Sequence, residues 1–275
     1  VEGREQIGNR LSEIWDYPKY GVPQREGGLR YHTENDGLQN HDVVYVQPID
    51  GDEEPRELFD PNEWSADGTV SLSAFAPGPN GRYVAYGKSE GGSDWKTLYV
   101  RDMNTGEDLA DSLKWVKFSN PTWTEDGEGF YYGRYPAPEE GEEYEDETKA
   151  QTVYYHEVGT PQSEDRLVYE RPSNPKLGFQ TQVVGEGRYL VIEASEGTSE
   201  KTEVYVKDLR ADDAEIRPLI EGFDAGYDII GVDDGTFYVQ TNLDAPNRRV
   251  VAVDPDQPAR SNWKTVVPET DAVLQ

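Results

Sequence analysis

Cysteine is missing altogether from the 275 residues, histidine occurs three times and methionine once. Without cysteine there is no thiol nucleophile, no disulfide framework and no thiolate metal site. Cationic side chains are scarce: 26 Lys plus Arg stand against 55 Asp plus Glu, a formal charge of −29. Such a balance repels nucleic acid and anionic lipid, so neither is an expected partner. No apolar run approaches the roughly 20 residues that cross a bilayer, and the N-terminus has neither the basic region nor the apolar core of a secretory signal. The chain opens at Val1, as a processed product or an excised piece would, which leaves a removed signal open. The expected compartment is the cytoplasm.

Aromatic residues are plentiful: 18 Tyr, 7 Phe and 6 Trp recur in short runs along the chain, unlike an acidic disordered tail. A chain of this length can bury roughly 70–75% of its unfolded surface, enough for one large domain or two ordinary ones. The carboxylates then form an acidic shell that repels itself and that salt screens. A salt-rich cytoplasm is the expected setting; an ordinary acidic protein, or one with a basic partner, is the competing explanation.

Ile7, Leu11, Ile14 and Trp15 fall near one helical face, with Pro18 as a stop beyond them, so residues 1–22 are expected to form a short helix and a leading segment. From residue 23 to 275 the pattern changes to brief β-branched and aromatic runs divided by Gly, Asp, Asn and Pro, the signature of strands and turns. Five units share one cadence of strand, glycine turn and further strands. Gly81, Gly129, Gly187 and Gly235 mark it at intervals of 48, 58 and 48 residues, the long interval holding an acidic insertion. Four strands per unit at a period of about 40–50 favours β-propeller blades over a sandwich. The expected fold is all-β: a propeller of about five four-stranded blades behind a short N-terminal helix. Five blades would either close as a ring or belong to a larger one, and the terminal DAVLQ, which reads as another inner strand, favours the larger ring.

Few residues carry chemistry. The tract EEGEEYEDE at 139–147 reads as a solvated loop, because no spaced calcium-loop pattern accompanies it. His32, His41 and His156 lack the HExxH spacing and partners of a zinc site. His156, in TVYYHEV, is expected on the polar side of its strand. Ser93 and Asp94 in GGSDW do not make a nucleophile elbow and read as loop hydrogen-bonders. The basic neighbourhood of Lys19, Arg25 and Arg30 is too short to bind nucleic acid. Trp64, Trp95, Trp115, Trp123 and Trp263 fit packing between units better than a recognition surface. No cofactor or metal is expected.

Longer strings carry a resemblance. DYPKYGVP at 16–23, NDGLQNHDVVYVQ at 35–47, LFDPNEWSADGTVSL at 58–72 and GGSDWKTLYVRD at 91–102 resemble the prolyl oligopeptidase family. The likeness continues through LKWVKFSNPTWTEDGEGFYYGRYP, NPKLGF, GEGRYLVIEASEG and NWKTVVPE. Members are two-domain serine peptidases in which a seven-bladed propeller covers an α/β-hydrolase domain that cleaves short peptides after proline. The resemblance implies that this chain is part of such a propeller and, lacking the hydrolase half, is inactive by itself. Its implied partners are that hydrolase domain and, in the parent enzyme, short proline-containing peptides, with the oligomeric state open. It also implies three substrate-pocket residues: Phe118 in WVKFS, Leu177 in NPKLG, and Thr198 in SEGT, where relatives commonly carry cysteine. Threonine there removes thiol reactivity and leaves a hydroxyl and a methyl group. A free-standing propeller interaction module is the alternative.

Overall fold

The computed structural model describes residues 3–139, 141 and 148–274. Most of the acidic tract therefore lies outside the described residues. The chain is predominantly β, with several antiparallel sheets and one short N-terminal helix. It divides into two compact units, residues 1–114 with 158–162, and residues 115–157 with 163–275.

In the first unit, α1 (Arg4–Trp15) closes on the Ser12 carbonyl through the Asp16 N–H. Its apolar stripe is present but unburied: Ile7, Leu11, Ile14 and Trp15 are all exposed. The first sheet contains β1 (Lys19–Tyr20), β2 (Gln24–Glu26), β3 (Leu29–Asn35), β4 (Val43–Pro48) and β5 (Arg56–Phe59), ordered β1-β3-β4-β5 with β2 beside β3. A second meander follows: β6 (Val70–Pro77), β7 (Tyr83–Glu90), β8 (Lys96–Asp102) and β9 (Asp108–Val116). Val44 and Val46 of β4 share one core cluster with Val84 and Tyr86 of β7. Tight turns set the spacing between these sheets. Gly81 has φ +68°, and a Cβ on it would meet the Gly27 carbonyl oxygen at 2.3 Å, so only glycine fits.

The second unit begins near the end of β9, where Val116 pairs with Arg134. It holds β10 (Thr122–Trp123), β11 (Gly129–Arg134), β12 (Thr152–Glu157) and β13 (Arg166–Tyr169). Two four-stranded sheets follow: β14 (Leu177–Val184), β15 (Tyr189–Glu196), β16 (Thr202–Asp208) and β17 (Arg217–Ile220), then β18 (Tyr227–Asp233), β19 (Thr236–Thr241), β20 (Arg249–Val253) and β21 (Lys264–Val267). β15 shows why middle strands read as unbroken apolar runs. Successive side chains point to opposite faces. Tyr189 and Val191 enter a cluster with Phe237, Val239 and Val251 of the last sheet. Leu190, Ile192 and Ala194 enter another with Tyr131, Val153 and Phe179. Both faces are buried, so hydrophobic alternation disappears.

The edge pairings repeat a detail that composition does not reveal. Register shifts by one position between Val44 and Tyr45, Val153 and Tyr154, Val204 and Tyr205, and Val250 and Val251, each time where the third long strand meets the outer one. Such bulges twist an outer strand and discourage further pairing along it. Turn glycines differ slightly from the sequence reading. Gly81, Gly187 and Gly235 have positive φ, but in the third meander the turn residue is Gly127, at φ +69°. Gly129 lies within β11, where a Cβ would sit 2.4 Å from the His156 carbonyl oxygen.

Candidate functional site

Phe118 follows the end of β9 in the turn that leads to β10, and its backbone takes φ +53°. A bulky side chain rarely occupies that left-handed region, and its persistence requires surrounding restraint. Two glutamines supply it. Gln180 of β14 donates from Nε2 to the Phe118 carbonyl at 2.6 Å, and Gln151 donates to the Lys117 carbonyl at 3.2 Å. Gln151 is buried and its Oε1 accepts the Phe179 N–H, so one amide ties the Phe118 turn to the start of β14. Ser119 Oγ accepts the Gly133 N–H at 2.7 Å on the other side. The backbone is clamped while the residue as a whole is left 57% exposed, with the Lys117 ammonium 5.0 Å from the ring centre.

Leu177 and Thr198 lie at the open end of the β14–β15 hairpin, because Leu177 lies opposite Glu196 in register and Thr198 follows β15 in the turn to β16. Their side chains fare differently. Leu177 is 2% exposed and packs with Phe179, Leu190 and Tyr131, whereas Thr198 is exposed. The structure thus links Phe118 to β14 by a hydrogen bond and places the Thr198 turn after β15, whose end pairs with the start of β14, with Leu177 in the core. Gln151 and Gln180 carry no sequence signal: each is a single glutamine in or beside a strand.

Close to the Thr198 turn, a cavity of about 190 Å³ is lined by Glu193, Ser195, Ser199, Glu200, Asp228 and Arg248, among others. Burial, reinforced by the charge of Asp228, raises the Glu193 carboxyl to about 7. Arg248 lies 3.7 Å from Asp228 and donates to the Gln240 side chain at 3.1 Å.

His156 departs from expectation. It is fully buried, with Nδ1 2.7 Å from Asp165 Oδ1 and its ring 5.2 Å from that of Phe130. Tyr132 donates its hydroxyl proton to the other Asp165 oxygen. The burial succeeds because a buried carboxylate satisfies the ring, a partner invisible in the local strand pattern. His32 contacts Glu34 at 3.0 Å and stacks on Tyr45, and His41 contacts the Gly68 carbonyl at 2.8 Å. Among the described residues no set of three or more His, Asp or Glu side chains is arranged to hold a metal. Ser93 Oγ accepts the Trp95 N–H, a loop hydrogen bond. The letters GKSEG at 87–91 spell a Gly-x-Ser-x-Gly string, but Ser89 lies 7% exposed within β7, 3.0 Å from Ser71 Oγ, without the strand-to-helix turn of a nucleophile elbow.

The family described as prolyl oligopeptidase, N-terminal β-propeller domain, matches residues 1–275. The chain belongs to the prolyl oligopeptidase family. It is 37% identical to a prolyl endopeptidase of Elizabethkingia meningoseptica over 272 residues, which are 99% of this chain and 38% of that protein. It is 32% identical to prolyl oligopeptidase A of Amanita bisporigera over 295 residues, covering 97% and 38% of the two chains. Among solved structures, prolyl oligopeptidase B from Galerina marginata bound to a 35mer hydrolysis and macrocyclization substrate superimposes with a TM-score of 0.89 at 28% identity, covering 99% of this chain and 41% of that one. A prolyl endopeptidase structure superimposes with a TM-score of 0.83 at 33% identity, covering 100% and 39%. The 275 residues thus span well under half the length of these prolyl oligopeptidase relatives, and the matched part is the noncatalytic propeller region. No helix among the described residues is long and apolar enough to cross a membrane.

Proposed function

We propose that this chain is the substrate-gating propeller portion of a proline-specific serine endopeptidase. In this reading residues 1–22 lead into a propeller of residues 23–275, made of about five four-stranded blades of a seven-bladed ring. Its partner is an α/β-hydrolase domain that supplies the serine, histidine and aspartate of acyl transfer. The propeller admits short proline-containing peptides and excludes folded proteins. The observation that carries the reading is the match of the family's propeller domain to the full chain. The repeated meanders with their recurring outer-strand bulge support the blade assignment.

Phe118, Leu177 and Thr198 then belong to the wall of the substrate pocket. Phe118 offers an exposed ring on an immobilised backbone, which suits apolar contact with a peptide at little ordering cost. Thr198 offers a hydroxyl from the neighbouring turn. Leu177 acts from below, since its buried side chain holds β14 in place. The acidic surface adapts the protein to a salt-rich cytoplasm.

Incubation of the purified chain with a short proline-containing peptide, followed by chromatography, tests the division of labour. The expected result is no specific cleavage. Turnover abolished by a serine-peptidase inhibitor would contradict the proposal, since it would place a working nucleophile within these residues.

A further inference from the structure

A second cleft, of about 750 Å³, lies within the second unit and falls in the size range of small-ligand sites. One wall is a row across three strands: Tyr131 of β11 opposes Tyr155 of β12, which opposes Arg166 of β13. The two tyrosine rings meet edge to face at 5.3 Å, and the Arg166 guanidinium lies 4.5 Å from the Tyr155 ring centre. The lining also includes Lys207 of β16 and Leu167, a residue 54% exposed.

The charge pattern is unusual for this chain. Carboxylates outnumber cations by more than two to one, and nearby arginines are paired: Arg171 with Glu203, Arg188 with Asp208 at 2.8 Å, and Arg210 with Glu125 at 3.6 Å. Arg166 and the half-buried Lys207 have no carboxylate partner among the described residues. Two unpaired cations facing a cleft with tyrosine and leucine walls make a surface for an anion with an apolar neighbour. Glu125, paired with Arg210, and Asp126 also line the cleft and can accept N–H donors, which a peptide carries and inorganic phosphate does not.

We infer that this cleft binds a short acidic peptide. A carboxylate side chain is held by Arg166 and Lys207, an adjacent aromatic or aliphatic side chain rests on Tyr131, Tyr155 and Leu167, and peptide N–H groups face Glu125 and Asp126. The assignment stands whether or not the chain serves a peptidase.

Isothermal titration of the chain with a blocked Glu-Glu-Tyr-Glu-Glu pentapeptide tests it, at the lowest salt concentration that keeps the chain folded by circular dichroism. Saturable binding is expected. Replacing the glutamates by glutamine should weaken it at least tenfold, as should Lys207→Glu, whereas Lys264→Glu on the exposed strand β21 changes the charge equally and should leave affinity within twofold. Should Lys207→Glu unfold, Lys207→Gln and Arg166→Gln carry the same expectation at a severalfold loss. No binding at millimolar peptide, equal binding of the glutamine peptide, equal loss in Lys264→Glu, or full displacement by inorganic phosphate at the peptide's own concentration would each overturn the inference.

Discussion

Glu193 makes the stability of this chain depend on pH in an unusual direction. Burial and the nearby Asp228 raise its carboxyl from 4.5 to about 7. Between those values the folded chain holds a proton that the unfolded chain has released, so stability falls as pH rises. The cost starts near the unfolded value and is complete above the folded one. A shift of that size corresponds to about 3 kcal/mol at 1.36 kcal/mol per pH unit, and partial solvent access reduces it to about 2 kcal/mol. Glu193→Gln keeps the shape and cannot ionise. Urea unfolding of both proteins at half-unit steps from pH 4 to 8 measures the difference directly, with unchanged m-values as the control for comparable unfolding. The two stabilities should coincide near pH 4 and diverge by about 2 kcal/mol in favour of the glutamine variant by pH 8. A difference that stays flat across this range would refute the argument, whatever its absolute size.

Other consequences are simpler. Asp165→Asn leaves the buried His156 and Tyr132 facing a neutral amide, and thermal unfolding should report a loss of about 3 kcal/mol. Gly81→Ala puts a methyl group against the Gly27 carbonyl on a left-handed backbone, and urea unfolding should show a loss of about 2 kcal/mol or more. If the acidic shell is a salt adaptation, the urea midpoint should rise between about 0.1 M and 2 M sodium chloride as repulsion is screened; a midpoint that is highest without salt would contradict that reading.

Much of the architecture is visible in the residue order because each sheet repeats the same local choices. Glycine at the first hairpin and an apolar second strand recur in GRYVAYG, GEGFYYG and GEGRYLVIEA. The helix is legible too, yet the stripe formed by Ile7, Leu11 and Ile14 gives no clue that it stays unburied. Features that depend on distant partners are not legible. His156 is buried because Asp165 reaches it from another segment, and Phe118 is restrained by amides from Gln151 and Gln180. For the proposed pocket residues, sequence supplied only a family likeness; exposure distinguishes Phe118 and Thr198 from the core-packed Leu177. The two-residue offset between the expected turn glycine, Gly129, and the observed one, Gly127, has a physical origin as well, since glycine serves close backbone approach as readily as a turn.

If the chain is the peptidase propeller proposed above, Phe118→Ala in the full-length protein tests the proposed substrate-contacting role most directly. The ring is largely exposed, so its removal should move the melting temperature little, while loss of its contact with a peptide should cost about 1–2 kcal/mol of binding. Steady-state kinetics on a short proline-containing peptide should therefore show KM raised by about 5- to 30-fold with kcat nearly unchanged. An unchanged KM in a folded variant would contradict the account.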